Sequence, residues 1–411
     1  MNPKLFDQNH ITVDFLDSMR QHADPLADDL IKQILEHSDL NTLNQVFLKI
    51  VNNTTIHDES FTDFDEAIRK LLTTYFKESA QLPTWYDEDL VAEGEKLFSE
   101  YGPEMFMLLN VSSLPMCYTC AKGAQVLYDT GRLMSHHQNT DALARRLMET
   151  GQMIFNVLSP GGLSQQGAGI ITIQKVRLIH ASIRYYLLKE DPKRNYQWDI
   201  EELGLPINQE DMAGTLMSFG PVILNGLKNL NIELTEQQQL AYMHVWKVVG
   251  HLMGLKAELN PDSFQEGFQL ASKVLQHQAS NSEAGEALTN SCVLFLQQHI
   301  AGNLFDEVPT FMMAYFLTDF SEASGKDLAT IIGLKKKEDL IERISLKFSQ
   351  FLGAELHRLE HHKVIQMLSA HFNKALLAGI IKHYNDNKSV HFYIPSSLTK
   401  NWSLAPIISY E

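Results

Sequence analysis

Apolar residues recur along this chain at intervals of three and four. Leu143, Leu147, Met148 and Ile154 form one such row, and Leu240, Val245, Val248, Val249 and Leu252 form another. That spacing lines one stripe of an α-helix. Read in this way, the pattern predicts helices over roughly 11–22, 25–37, 40–52, 61–78, 87–100, 103–110, 117–129, 139–157, 170–189, 208–226, 235–253, 262–278, 282–299, 306–318, 337–351 and 353–384. Several have marked beginnings. Asn208-Gln209-Glu210-Asp211 and Thr235-Glu236-Gln237-Gln238 each place a capping residue ahead of acidic or amide side chains in the first turn. Pro83 and Pro103 interrupt the pattern, and Gly161-Gly162 with Gly167 and Gly169 punctuate a loop. Strand-like alternation is confined to Val390-His391-Phe392-Tyr393-Ile394. The expectation is an all-α protein, one compact domain with peripheral helices at both ends and no solenoid repeat.

Composition narrows the partners. The 411 residues are 44% hydrophobic and 20% charged, as in one large or two ordinary globular domains. A net charge of −16 argues against nucleic acid and against an anionic membrane surface. Lys335-Lys336-Lys337 is short and is followed at once by Glu338 and Asp339. No stretch reaches the ~18 uninterrupted apolar residues of a spanning helix, so no stable membrane span is expected. The first residues, Met1 to Asp7, show no basic region followed by an apolar run, and three cysteines suit a reducing compartment. Together these point to the cytoplasm. Cys117-Tyr118-Thr119-Cys120 has the C-x-x-C spacing but lacks both further zinc ligands and a βαβ setting.

Histidine-rich alternatives fall on spacing. His357 and His361 stand four apart, but Arg358 occupies the place where a zincin needs glutamate. No two Glu-x-x-His pairs suggest a di-iron bundle, and His136-His137 lies in a polar stretch. A nucleophile elbow, a P-loop and a dinucleotide fingerprint are all missing, and Gly167-Ala168-Gly169 follows no strand.

One segment does carry chemistry. In Arg177-Leu178-Ile179-His180-Ala181-Ser182-Ile183-Arg184, a helix brings His180, Arg177 and Arg184 within about 60° of one face. An imidazole between two guanidinium groups on an apolar helix is costly to bury without partners. Two readings meet that cost. In one, the arginines pair with Asp or Glu elsewhere and His180 is hydrogen-bonded. In the other, a haem supplies iron to the imidazole and propionates to the arginines. Upstream, Arg146 and Thr150 share a face of another helix, and the loop from Ser159 to Gly167 is long enough for the two helices to run back against each other.

In the order and spacing of several motifs, the chain resembles the DUF2236 family of haem b oxygenases, the group of the rubber oxygenases (latex-clearing type) and of the mycophenolic-acid pathway oxygenases. The resemblance covers roughly residues 82 to 320. It runs from Leu82-Pro83-Thr84-Trp85-Tyr86 through Leu114-Pro115, Tyr118, Thr130-Gly131-Arg132-Leu133, Arg146 with Thr150, and Gly161-Gly162. It then takes in Val176 to Ala181 with Arg184, Asn208 to Asp211, Thr215, Phe219, His244-Val245-Trp246, Gly250 and Gly254.

The resemblance implies a globin-like, haem-binding helical core over 81–320, preceded by an N-terminal helical extension (1–80) and followed by C-terminal helices (321–411) packed on it. It makes His180 the proximal iron ligand, sets Arg146 and Thr150 on the distal side, and gives Arg177 or Arg184 to propionate contact or to support of the His180 helix. Where rubber oxygenases carry a lysine before the distal threonine, this chain has Glu149, which leaves an open or water-bound distal site or supplies a catalytic base. The implied activity is attack by O₂ on an apolar, unsaturated or isoprenoid-like small molecule; no redox partner can be named. The alternative is a haem-binding protein without turnover, such as a gas or redox sensor or a haem carrier. Apolar residues near these motifs, among them Met153, Phe155, Met212 and Phe219, are either pocket lining or ordinary core, and Trp246 is expected to be packing.

Overall fold

The computed structural model describes residues 6–7, 9–52, 56, 58–130, 141–165, 167–190, 197–299, 307–334 and 366–376, with the backbone alone at 51–52, 58, 141–146, 148 and 299. Every regular element among them is helical. In order these are α1 (Val13–Met19), α2 (Pro25–His37), α3 (Leu40–Asn52), α4 (Glu66–Ser79), α5 (Glu88–Leu108), α6 (Leu114–Thr119), α7 (Ala121–Asp129), α8 (Asp141–Leu158) and α9 (Ala168–Leu188). They continue with α10 (Ile200–Leu203), α11 (Gln209–Phe219), α12 (Pro221–Asn229), α13 (Glu236–Leu252), α14 (Phe264–Gln278), α15 (Glu283–His299), α16 (Val308–Phe316), α17 (Thr318–Ser324) and α18 (Leu328–Ile331). Residues 366–376 are also helical. The protein is all-α. The expected strand at 390–394, and His136, His137, His357, His361 and Lys335 to Lys337, lie outside the described residues.

Most helices fall where the apolar spacing predicts, and the exceptions have local causes. The single helix expected over 208–226 divides at Gly220, because Pro221 opens a new helix at its first position, where its missing N–H costs nothing. The interruption foreseen at Pro103 is a kink inside α5, with Tyr101 at φ −116° and ψ 16°. A π-helical turn, Leu109–Ser113, follows α5 and is wholly buried. None of the described helices is long and apolar enough to cross a membrane.

The chain divides into two compact units. The first comprises Met1–Glu95, Met153–Leu216 and Leu240–Ser263; the second comprises Lys96–Gln152, Met217–Gln239 and Phe264–Glu411. In the first, Ala27, Leu30, Ile31 and Ile34 of α2 form a core with Leu43, Val46 and Ile50 of α3 and with Ile68, Leu72, Tyr75 and Phe76 of α4. Leu178 and Ala181 of α9 complete it. Each buried leucine or isoleucine there contributes about 1.5–3 kcal/mol. That packing turns one face of α9 toward α2, α3 and α4. Tyr75 adds a hydrogen bond to the Gln174 carbonyl at 3.0 Å, and Gln174 donates to the Phe76 carbonyl at 2.7 Å.

In the second unit the π-helical turn is held by the Ser113 hydroxyl, which donates to the Ser218 carbonyl at 2.6 Å. Gly226 lets α12 approach Leu108: a Cβ there would lie 2.6 Å from a leucine methyl. Asn225 and Asn229 both donate to the Asp319 carboxylate, at 2.8 and 2.9 Å, joining α12 to α17.

Candidate functional site

The end of α8 and the start of α9 are pinned by one backbone and one side-chain hydrogen bond. Gly169 donates to the Gly162 carbonyl at 2.9 Å, and the Asn156 amide donates to the Thr172 hydroxyl at 2.8 Å. A Cβ at Gly162 would stand 2.2 Å from the Asn156 carbonyl oxygen, so only glycine fits this approach. The buried carboxylate of Glu95 receives the Gly161 N–H at 3.0 Å. Burial pushes the Glu95 carboxyl above its usual range, although the N–H groups of Gly161 and Gly162 pull it back.

Along α9, His180 is half-buried, with Arg177 one turn before it and Arg184 one turn after. Both arginines are buried, at 8% and 3% exposure. Arg177 meets the Asp24 carboxylate with two donors, Nε at 2.5 Å and Nη2 at 2.6 Å, and gives Nη1 to the Leu252 carbonyl at 3.1 Å. Burial works against its charge, but the Asp24 hydrogen bonds and charge outweigh that and hold its pKa above the ordinary value. Arg184 gives Nε to Asp28 at 2.7 Å and Nη1 to the Ile207 carbonyl at 3.1 Å. Its Nη2 is buried and meets no hydrogen-bond acceptor. Ile207 itself is held at φ +52°, a costly conformation for a β-branched residue that persists only where the surroundings fix it.

Arg177 therefore ties α9 to Asp24 and to the Leu252 carbonyl. Each of its three nitrogens has a partner within the fold, which uses three of its five N–H donors. Arg184 keeps one donor nitrogen unused. The pairing of both arginines with aspartates is the first of the two readings of this segment, and the partners come from the α1–α2 region.

Asp24 and Asp28 are the site residues that spacing did not reveal. In the sequence, Asp24-Pro25-Leu26-Ala27-Asp28 looks like an ordinary helix start: a capping residue, a first-position proline and an acidic first turn. In the structure Asp24 occupies the N-cap position but caps nothing with its side chain, which is turned to Arg177. The Asp24 N–H is received instead by Asp28 at 3.2 Å. The same turn is tied down on its other sides. Buried Arg20 pairs with Glu210 at 3.1 Å and Asp211 at 2.8 Å, and the Gln209 amide donates to the carbonyls of Ala23 and Gly254.

Arg146, Glu149 and Thr150 lie within little more than one turn of α8, in the second unit, whereas His180 belongs to the first. The Arg146 side chain is outside the described residues; Glu149 is exposed and Thr150 half-buried. Met153, Phe155 and Met212 are buried in the first unit, as is Trp246 at 1% exposure. Among the described residues no three His, Cys, Asp or Glu side chains gather as an all-protein metal cage would require. Cys117 and Cys120 form no disulfide, and burial pushes the Cys292 thiol up to about 12.

The family model described as ER-bound oxygenase mpaB/B′/Rubber oxygenase, catalytic domain, matches residues 109–336. That segment contributes to both units and contains His180, Arg177, Arg184, Arg146, Glu149 and Thr150, but not Asp24 or Asp28. The Rubber oxygenase of Streptomyces sp. (strain K30) is 22% identical over 275 residues, which cover 66% of this chain and 62% of that protein. The match thus spans less than two thirds of that relative's length. Among solved structures, that of Latex Clearing Protein LCP in the closed state aligns with a TM-score of 0.65 at 18% identity, covering 87% of this chain and 91% of the other. At that identity the likeness concerns the fold, which is all-helical in both. Matched over more than half of its length, the chain belongs to the mpaB and rubber oxygenase catalytic-domain family.

Proposed function

We propose that this protein is a haem b oxygenase that uses O₂ on an apolar, unsaturated small molecule, with His180 as the protein ligand to iron. The observation that carries the reading is the buried Nη2 of Arg184, without an acceptor one helical turn from His180, in a chain of this family. A haem asks a protein for an axial donor and for cationic donors to its propionates. His180 offers the first and Arg184 Nη2 the second, so the residues present fit the group. When bound, haem would supply an iron centre at which O₂ is activated for attack on a carbon–carbon double bond.

The chain's own residues do the rest. Asp24 holds Arg177, and the core contacts of Leu178 and Ala181 fix the face that α9 turns outward from that core. Arg184 offers a fixed positive charge where a carboxylate can be held. To Arg146 we assign a cation and to Thr150 a hydroxyl donor on the substrate side. To Glu149, which is exposed, we assign the role of proton acceptor. An acidic side chain at that position, in place of the lysine of rubber oxygenases, supports a small-molecule substrate over a polymer.

Oxygen uptake with a panel of unsaturated lipids and isoprenoids tests the activity. Uptake that requires haem and falls at least 100-fold in Arg146→Ala or Thr150→Ala would support it. Haem binding with no uptake on any alkene would leave a non-catalytic haem protein.

A further inference from the structure

We propose that Asp24 and Asp28, at the start of α2 and outside the family segment, are positioning residues that set His180 by clamping the arginines one turn to either side of it. This rests on the haem reading of His180. Several observations carry it. The two aspartates occupy the N-cap and first turn of α2, and each takes one arginine of α9: Asp24 takes Arg177 through both carboxylate oxygens, and Asp28 takes Arg184. The two contacts therefore grip α9 on both sides of His180 along its axis. Each arginine is also tied to a backbone carbonyl, that of Leu252 or Ile207. A helix held at two points one turn above and below a residue can neither slide nor roll at that residue.

The core packing alone does not set this register. Leu178 and Ala181 pack on α2 and α4 through apolar contacts, which are non-directional and tolerate small shifts. Bidentate carboxylate–guanidinium pairs are directional. The N-cap carboxylate of α2 is diverted from capping its own helix to make one of them. Asp28 has a second effect. By taking Nε of Arg184 while Ile207 takes Nη1, it leaves Nη2 as the one nitrogen for an anionic group. Residues that orient a metal ligand from behind in this way typically change cofactor affinity about 10- to 100-fold when altered.

The test uses the full-length protein with haemin as the probe. Asp24→Asn and Asp28→Asn are expected to release haemin about 10- to 100-fold faster than wild type and to shift the Soret maximum and reduction potential. In the haem-free protein, amide hydrogen exchange over residues 177–184 is expected to quicken in both variants. Stability is separated from positioning by the double variant Asp24→Leu with Arg177→Met. Replacing a buried ion pair by apolar groups of similar volume often restores the melting temperature. The proposal expects the altered Soret and potential to persist in that variant; a restored wild-type spectrum at restored stability overturns it. Folded Asp24→Asn and Asp28→Asn proteins with wild-type haemin release, potential and exchange also overturn it. If the wild type itself takes up no haemin, the haem reading falls, and the clamp stands or falls on the exchange measurement alone.

Discussion

Gly254 stands against the guanidinium of Arg177 so closely that a Cβ on it would lie 2.6 Å from Nη2 and 2.9 Å from Cζ. Its φ of +79° is a second reason for glycine. The turn after α13 thus closes over the arginine that Asp24 holds, and its carbonyl receives the Gln209 amide at 3.0 Å. Gly254→Ala is expected to cost at least ~1–2 kcal/mol for the left-handed backbone alone, and more because Arg177 must move. Urea unfolding reads the loss as a lower midpoint; an unchanged midpoint would contradict this account of the turn.

Glu95 gives a prediction in pH. Its carboxyl is buried, and its folded-state pKa is raised above the ordinary 4.5. A raised acid contributes stability that is fully present below the unfolded pKa and is lost as pH rises through the folded value. Glu95→Gln keeps an oxygen to accept the Gly161 N–H but carries no charge. The variant is expected to match wild type near pH 4 and to exceed it in stability at pH 7. Equal stabilities at pH 7 would show that the carboxylate bears no burial penalty.

His244 works with the opposite sign. Its Nε2 accepts the Asp87 N–H at 3.1 Å, so the ring is neutral in the fold. Burial lowers its pKa below 6.5, and the nearby Lys247 charge adds to this against the opposing charges of Asp87 and Asp262. A depressed base contributes stability present above the unfolded pKa and lost as pH falls through the folded one. Wild type should therefore lose stability below about pH 6.5 faster than His244→Gln, whose amide oxygen can accept the same N–H. His251, also lowered by burial, leaves a shallower slope in the variant. Parallel pH profiles for the two proteins would refute the assignment.

What the sequence discloses, and what it withholds, divides by distance along the chain. Helices α2 and α3 begin and end where apolar spacing places them, because each buries a stripe written in its own residues. The meeting of His180, Arg177 and Arg184 on one face is likewise a local matter of helical pitch. The partners of those arginines are not. Asp24 and Asp28 lie about 150 residues away in the chain, and their local setting has a complete explanation as a helix start. Nothing in a single chain's spacing links them to α9. Residues of α2, α3 and α4 share a core with Leu178 and Ala181 of α9, a pairing that local spacing does not disclose. The π-helical turn Leu109–Ser113 escaped for a different reason: its residues keep a continuous buried pattern, in which an added residue per turn leaves no mark.

The central claim is that His180 ligates a haem iron, and haemin titration of the purified protein followed by absorption spectroscopy tests it most directly. The account predicts a Soret band that saturates at one haemin per chain in the wild type and is lost or strongly displaced in His180→Ala. No Soret band in the wild type, or an unchanged band in His180→Ala, would contradict it.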